Sequence, residues 1–176
     1  MKVMLKEFQQ NDYEDLIMWS DNPEFLLQWA GPIFKFPLSY DQLDEYRNGM
    51  LQKQSIRKIY SVFDLTNHKH VGHIELNNLD LTNKSATMSR VLLGDKTYRG
   101  KGYGKEIVKA VLKKGFDEFK LHRIDLHVFD FNISAKKCYE SMGFVHEGIS
   151  RESRKMGKEY WSLIHMSILE KERVYY

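Results

Sequence analysis

Three glycines within five residues, Gly100, Gly102 and Gly104, lie between a predicted strand that ends at Leu93 and a predicted helix. Because glycine has no side chain, successive backbone N–H groups of such a turn can crowd toward one point at the helix N-terminus. The helix dipole favours an anion there, so the segment predicts a phosphate-binding turn. The alternative is a glycine-rich connection that binds nothing. In either case a strand and a helix must meet at this turn.

Two common nucleotide-binding motifs do not fit the turn. A P-loop requires glycine, four residues and then Gly-Lys-Ser/Thr, and the sequence contains no such run. The Rossmann motif Gly-x-Gly-x-x-Gly would place its third glycine one residue after Gly104. No acidic residue follows at the end of a later strand, where a dinucleotide ribose would need it. A nucleotide-binding oxidoreductase is therefore disfavoured.

The spacing of apolar residues predicts a mixed α/β fold. Three successive strands before the glycine turn indicate an antiparallel meander, and the order helix, strand, helix after it indicates a parallel pair with a right-handed crossover. A chain of 176 residues is long enough for one core, so a single domain over residues 1–176 is expected. The predicted strands lie at about 3–8, 59–63, 70–76, 86–93, 124–129, 144–152 and 160–169.

Helix signals occur between these strands. Ser39, with Gln42 three residues later, has the pattern of an N-terminal cap. Only a short helical turn is predicted around Phe25, before an aromatic stretch that is broken by glycine and proline. The remaining helices are predicted over about 11–19, from near 102 and over 134–142.

The composition argues against several classes of protein. Lys and Arg number 27 and Asp and Glu 24, and the two signs alternate along the chain, so no basic arm indicates nucleic-acid binding. The single cysteine, Cys138, excludes an internal disulfide, which fits the cytoplasm. Neither a secretion signal nor a membrane span is predicted. His68, His70 and His73 match no zinc pattern, so no metal site is predicted.

A second motif follows the strand at 124–129. The segment from Asn132 to Phe144 has the pattern Asn-x-x-Ala-x-x-x-Tyr-x-x-x-Gly-Phe, and Arg99, Gly102 and Gly104 match Arg-x-x-Gly-x-Gly. In this order and at this separation, the two motifs resemble those of the GNAT acetyltransferase superfamily, and the resemblance extends over about residues 3–169. Shorter phrases resemble the branch that contains ribosomal-protein N-terminal acetyltransferases and spermidine acetyltransferases.

The resemblance implies a seven-stranded, mostly antiparallel sheet flanked by helices, in which a splayed parallel pair of strands holds acetyl-coenzyme A. The end of the first splayed strand, Leu92, Leu93 and Gly94, would present unpaired backbone groups to the pantetheine arm and the thioester carbonyl. Gly94 departs from the aliphatic residue often found there, so which N–H stabilises the oxyanion stays open. Backbone N–H groups of the turn would hold the pyrophosphate, from Arg99, Gly100, Lys101, Gly102, Tyr103 and Gly104.

The second motif would supply further contacts. By the same resemblance, Asn132 would contact pantetheine, and Ala135 is small because the cofactor passes the start of this helix. Tyr139 lies one turn later on the same helix face. Its phenol, with an ordinary pKa near 10, would protonate the leaving sulfur. The alternative is a core tyrosine whose hydroxyl bonds to a backbone acceptor.

The acceptor is expected to be a primary amine of a small molecule, polyamine-like or another amine. The alternatives are the N-terminus of a ribosomal or other protein, and a non-catalytic module that only binds the acyl-coenzyme A. Glu75, on a strand beside the splayed pair, would remove the proton from the amine, directly or through water. It could instead be a solvent-facing strand glutamate. The sequence does not determine the oligomeric state, and a homodimer is one of the assemblies it allows.

Overall fold

The computed structural model describes residues 2–52 and 55–173. No helix within these ranges is long and apolar enough to cross a membrane. The strands are β1 (Val3–Glu7), β2 (Lys58–Asp64), β3 (His70–Asp80), β4 (Ser85–Leu93), β5 (Arg123–Phe129), β6 (Val145–Met156) and β7 (Glu159–Leu169). The helices are α1 (Tyr13–Trp19), α2 (Pro23–Ala30), α3 (Tyr40–Leu51), α4 (Tyr103–Lys113) and α5 (Ile133–Ser141).

The seven strands form one mixed sheet in the order β1-β2-β3-β4-β5-β7-β6. Neighbouring strands are antiparallel except β4 and β5, which are parallel and are connected through α4. These two strands pair over only three residues, from Ser85 to Thr87 on β4 and from Arg123 to Asp125 on β5, and then diverge. The predicted fold class is therefore confirmed, including the splayed parallel pair.

Helices cover both faces of the sheet. On one face, Met88 of β4 and Leu126 of β5 belong to the core that contains the apolar stripe of α4, including Ile107 and Val111. On the other face, α1, α2 and α3 bury a second core. Each fully buried aliphatic side chain of this kind contributes roughly 1.5–3 kcal/mol. Packing on both sides therefore holds the strands in place around the point where β4 and β5 separate.

Helix α2 is longer than the sequence pattern predicts. In place of a short turn, it extends over 8 residues. The side chain of Asn22 accepts a hydrogen bond from the N–H of Phe25 at 2.8 Å, and Pro23 occupies the first helical position, where it is tolerated. The helix brings Trp29 onto β4, where the indole N–H donates to the carbonyl of Arg90 at 3.0 Å.

A bulge interrupts β4 beside the point of divergence. Glu75 of β3 pairs with Ser89 and His73 pairs with Leu92, so β4 has one residue more than β3 between the two pairs. Arg90 within this bulge has φ 52°, a left-handed conformation that is uncommon for a residue with a side chain. Because bulges bend a strand and increase its twist, this one helps to turn the end of β4 away from β5.

Candidate active site

The divergence of β4 and β5 opens a cleft of about 1210 Å³ in the sheet. Beyond Thr87 and Asp125 the two strands no longer pair, so backbone groups on their facing edges are available to a ligand. Most of the residues predicted to bind the cofactor line this cleft. They are Leu92, Leu93, Arg99, Gly100, Gly102, Tyr103, Gly104, Asn132, Ala135 and Tyr139.

The glycine turn ends in the N-terminal cap of α4. Gly102 is the cap residue with φ 84°, and Gly100 has φ 74°, conformations that favour glycine. A Cβ atom at either position would have no other heavy atom within 4 Å, so both residues face open space. The first N–H groups of α4 have no acceptor within the helix and point out of its end. The turn therefore fits a phosphate group, as the sequence predicts.

The charge of the cleft also suits a polyphosphate. Arg99 in the turn, Lys105 on α4 and Lys137 on α5 line it. No aspartate or glutamate lines the cleft within the part of the chain that the structure describes. This concentration of positive charge attracts an anion such as a pyrophosphate. Neither lysine is at a defining position of the two motifs, although Lys105 directly follows the glycine turn and Lys137 lies within the second motif, which could have indicated them.

Gly94 and Lys101, which the sequence predicts as cofactor-binding residues, do not line the cleft. The N–H of Gly94 donates to the carbonyl of Val71 on β3 at 3.0 Å. The carbonyl of Lys101 accepts a hydrogen bond from Nζ of Lys2 at 3.0 Å. Because successive N–H groups along a strand point to opposite edges, the N–H of Leu93, not that of Gly94, is directed toward the cleft.

The lack of a side chain at Gly94 has a packing reason. An added Cβ atom would lie 1.9 Å from Cδ2 of Trp19. We expect Gly94→Ala to lower the free energy of unfolding by about 1–3 kcal/mol, the usual cost of overpacking, because the indole ring must move. Urea unfolding measures the change. Gly148→Ala is the control, since a Cβ atom there meets nothing within 4 Å. Equal midpoints for the two variants would contradict the packing argument.

Tyr139 lies on α5 with its side chain against the cleft. It is 8% exposed, and its ring centroid lies 5.8 Å from that of Phe144. Burial raises the pKa of its phenol well above the ordinary range, so the hydroxyl keeps its proton at neutral pH. The hydroxyl has no hydrogen-bond partner among residues 2–52 and 55–173, which does not support the alternative of a core tyrosine bonded to the backbone. A proton is therefore available inside the cleft.

Asn132 fixes the start of α5. Its Oδ1 accepts a hydrogen bond from the N–H of Ala135 at 3.2 Å, and its own N–H donates to the carbonyl of Phe129 at 3.0 Å. This capping arrangement sets the direction in which α5 leaves β5. Cys138, on the same helix, is half-buried, and burial raises the pKa of its thiol. A neutral thiol is a weak nucleophile, which agrees with a structural role.

Glu75 lies inside the fold and not in the cleft. It is fully buried on β3, where Nε of Arg57 lies 2.9 Å from Oε1. Arg90 forms an ion pair with Oε2, and the hydroxyl of Tyr46 donates to the same oxygen at 2.7 Å. Direct contact with an amine in the cleft does not fit this position. The alternative of a solvent-facing glutamate is also wrong, because the side chain is held by these three partners away from water.

A polar cluster that the motifs do not contain lines the cleft on the other face of the sheet. His127 alternates along β5 with the core residues Leu126 and Val128, so it projects from the opposite face. Its Nε2 lies 3.1 Å from Nδ1 of His165, and Nε2 of His165 lies 2.7 Å from Oγ of Ser150. Burial and the neighbouring His165 lower the pKa of His127, which favours the neutral imidazole. Only the pairing of β5, β7 and β6 brings these residues together.

Known proteins share this architecture. The chain is 25% identical to the spermidine N(1)-acetyltransferase of Vibrio cholerae over 169 residues. The aligned region covers 96% of this chain and 94% of that protein. The crystal structure of spermidine N-acetyltransferase from Vibrio cholerae with CoA and spermine matches with a TM-score of 0.84 at 25% identity, over 97% of both chains. A Bacillus subtilis protein named for ribosomal N-acetylation is 27% identical over 101 residues, 57% of this chain and 54% of that protein.

The acetyltransferase (GNAT) domain profile matches residues 2–145. That range contains β4, β5, the glycine turn and α5, which together form the cleft. The chain therefore belongs to the GNAT acetyltransferase family and is an N-acetyltransferase that uses acetyl-coenzyme A.

Proposed function

We propose that the chain transfers an acetyl group directly from acetyl-coenzyme A to a primary amine. The observation that carries this proposal is the cleft between β4 and β5, which combines the phosphate-binding turn with an unpaired strand edge and the buried phenol of Tyr139. Acetyl-coenzyme A supplies an activated acetyl thioester when it is bound. The relatives named for spermidine and for ribosomal N-acetylation are both N-acetyltransferases, which supports an amine as the acceptor.

The residues on the α4 and α5 face of the sheet bind and orient the cofactor. The turn from Arg99 to Gly104 holds the pyrophosphate, with Lys105 and Lys137 adding positive charge. The unpaired edge of β4 hydrogen-bonds to the amide groups of the extended pantetheine arm, in the manner of an added strand. The N–H of Leu93 donates a hydrogen bond to the thioester carbonyl, where it stabilises the negative charge that develops on the oxygen.

The proton donor and the proton acceptor lie on opposite faces of the sheet. Tyr139, on the α5 side, holds a proton at its hydroxyl and donates it to the departing sulfur. His127, on the other side, is neutral and accepts the proton of an amine that enters from that face, with His165 and Ser150 fixing its ring. An amine between them would attack the bound thioester directly, so no acyl-enzyme on Cys138 is needed.

We give Glu75 a positioning role. Its carboxylate holds Arg90, whose backbone forms the bulge of β4 and whose carbonyl accepts the indole N–H of Trp29. Through Arg90, Glu75 keeps the end of β4 bent away from β5. The side chain therefore acts on the shape of the cleft and not on the proton of the amine.

Gly102→Val tests the phosphate-binding turn. A side chain at this cap would project into the open space that the pyrophosphate is proposed to fill. We expect the Kd for acetyl-coenzyme A to rise at least about tenfold, since each hydrogen bond lost to a charged group is worth roughly 1.5–3 kcal/mol. Titration calorimetry measures the Kd.

The control for this variant is Gly157→Val. Gly157 also has a positive φ, 58°, and open space around its Cβ position, but it lies in the turn between β6 and β7. Both variants carry the same backbone strain of about 1–2 kcal/mol, so only the loss of cofactor binding separates them. An unchanged Kd in folded Gly102→Val would remove the pyrophosphate assignment.

A turnover screen tests the proposed function as a whole. The protein is mixed with acetyl-coenzyme A and a panel of primary amines that includes spermidine, amino acids and short peptides, and the release of free thiol is recorded. We expect release that depends on the amine. Binding of acetyl-coenzyme A without thiol release for any amine would favour the alternative of a non-catalytic binding module.

A further inference from the structure

The acceptor side of the cleft is positively charged. The glycine turn marks the phosphate-binding side of the cleft. The acceptor side is the part of the cleft on the opposite face of the sheet, where β5 carries His127. There the lining comes from β6 and β7 and includes His165, Ser150, Ser153 and Arg154. As no carboxylate lines the cleft within the described ranges, this side has no group that would pair with a polycation.

A bulge in β6 turns Arg154 toward the cleft. Ser150 pairs with Leu163 and Arg154 pairs with Trp161, so four steps along β6 correspond to two along β7. Glu152 inside this bulge has φ 49°. Its N–H donates to a serine hydroxyl on β7, Oγ of Ser162, at 3.0 Å. Bulges re-aim side chains next to binding sites, and here the result is a guanidinium in the lining of the cleft.

Arg154 has no acidic partner in the part of the chain that the structure describes. The hydrogen bond of its side chain runs from Nη1 to the carbonyl of Ser153 at 2.9 Å. Arg90, the other arginine near the acceptor side, differs because Glu75 neutralises it. Asp125 on the same face of β5 does not line the cleft, and its Oδ2 lies 3.8 Å from Nε of Arg123. The charge of Arg154 is therefore available to a ligand.

The guanidinium of Arg154 has N–H groups that can donate two hydrogen bonds to an anion with two oxygens. Arginine binds carboxylates with two parallel hydrogen bonds, which fixes the orientation of the bound group. The positive charge of Arg154 also helps to lower the pKa of His127, after the larger effects of burial and His165, which lower it, and of Asp125, which raises it. An acceptor held at Arg154 would therefore have its amine near a neutral imidazole, in the direction of the unpaired edge of β4.

We propose that the acceptor is a primary amine that carries a carboxylate, as in an amino acid or a peptide, and that Arg154 binds this carboxylate. The inference rests on the proposed function, since it names the class of amine that the same site takes. It makes Arg154 a specificity-determining residue of the acceptor side. It also disfavours spermidine, which has several positive charges and no anionic group, as the preferred acceptor.

Matched acceptors test the proposal on the wild-type chain. Glycine, diglycine and triglycine are each compared with their C-terminal amides, and spermidine is included. Within each pair the carboxylate is replaced by a neutral amide, and the three lengths vary its distance from the amine. We expect the acid of at least one length to exceed its amide in kcat/KM by about tenfold, the effect of one charge-assisted hydrogen bond. Equal values for all three pairs, or spermidine exceeding every acid, would overturn the proposal.

The variant Arg154→Gln then assigns the preference to one residue. We expect the ratio of acid to amide to fall to about one because kcat/KM falls more for the acid than for the amide, with the Kd for acetyl-coenzyme A unchanged. Arg154→Lys should keep part of the preference. Arg151→Gln is the control, because Arg151 is an exposed arginine of the same strand that does not line the cleft. A ratio that persists in Arg154→Gln would contradict the assignment.

The outcomes separate this inference from the proposed function. If the amides and spermidine are acetylated as well as the acids, the chain is an amine acetyltransferase without the proposed preference, and only the inference fails. If none of the amines releases thiol although acetyl-coenzyme A binds, the proposed function fails and the inference fails with it.

Discussion

Replacing Tyr139 with phenylalanine is expected to lower kcat by roughly tenfold or more, the scale of losing a general acid, and to leave the Kd for acetyl-coenzyme A unchanged. The phenylalanine keeps the ring packed against Phe144 and removes only the hydroxyl. Because burial raises the pKa of this phenol, it remains a proton donor throughout the neutral range. Thiol release with an amine found in the turnover screen gives kcat, and calorimetry gives the Kd.

Tyr60→Phe is the matched control for Tyr139→Phe. Both tyrosines are 8% exposed and belong to the same core, but Tyr60 does not line the cleft. Tyr60→Phe should therefore lose about as much stability as Tyr139→Phe and should keep the kcat of the wild-type chain. If Tyr139→Phe also keeps its kcat with a weakly reactive amine, for which departure of the sulfur limits the rate, the proton comes from another donor such as water.

Replacing Glu75 with glutamine is expected to lower the free energy of unfolding by about 3–5 kcal/mol, the range found when one partner of a buried ion pair is removed. Glutamine can still accept a hydrogen bond from Tyr46 but carries no charge. Arg90, whose side chain is 9% exposed, and Arg57, at 27%, would then be left without a counter-charge. Urea unfolding followed by circular dichroism measures the loss.

Two comparisons separate the ion pair from a general effect of the substitution. Glu147→Gln removes the partner of Arg123 at a more exposed site, with 42% and 31% exposed side chains, so the loss should stay below about 1 kcal/mol. The double variant Glu75→Gln/Arg90→Met should be more stable than Glu75→Gln alone, because it removes one uncompensated charge. A loss at Glu75 no larger than that at Glu147 would contradict the role of the buried cluster.

The pH dependence of kcat/KM distinguishes the roles of Glu75 and His127. A general base must be unprotonated, so activity with a His127 base falls as the pH drops through its pKa, below the ordinary histidine value of 6.5. The charged and titratable groups that act on this imidazole are His165, Asp125 and Arg154. We expect this fall in kcat/KM at low pH to remain in Glu75→Gln, measured under conditions in which that variant is folded. We expect it to disappear in His127→Gln. The opposite result would restore Glu75 as the base.

The parts of the site that the sequence predicts are local. Gly102 caps the helix that follows it and Gly100 lies two residues earlier, and the positive φ of both follows from the residue type in a strand-to-helix turn. Asn132 and Ala135 are likewise within one helical turn of each other, where spacing alone determines that their groups meet. Most of the residues that line this side of the cleft could therefore be predicted from the sequence.

Gly94 shows the limit of a local prediction. Its place at the end of a strand was predicted, but the direction of its N–H depends on the register with β3, and its lack of a side chain depends on Trp19 of a distant helix. Neither partner is near it in the sequence. The same holds for Asn22 and Pro23, whose capping pattern supports a full helix only because α2 has a sheet face to pack against.

The acceptor side was decided by the tertiary structure. Alternation along β3 predicts that the side chain of Glu75 points to the opposite face of the sheet from those of its neighbours. It does not predict that Arg57, Arg90 and Tyr46 surround the carboxylate. His127 and His165 are 38 residues apart and meet only because β5 pairs with β7 in one register.

A bulge adds a residue that no periodic pattern predicts, and every side chain beyond it changes its relation to the neighbouring strand. The bulge at Arg90 and the one before Arg154 both lie next to the cleft. The sequence by itself therefore determined the family, the order of the elements and the glycine turn, because these depend on residues close along the chain. The proposed base, His127, and the charge of Arg154 that is proposed to meet the acceptor depend on strand register, which is set by packing across the whole sheet.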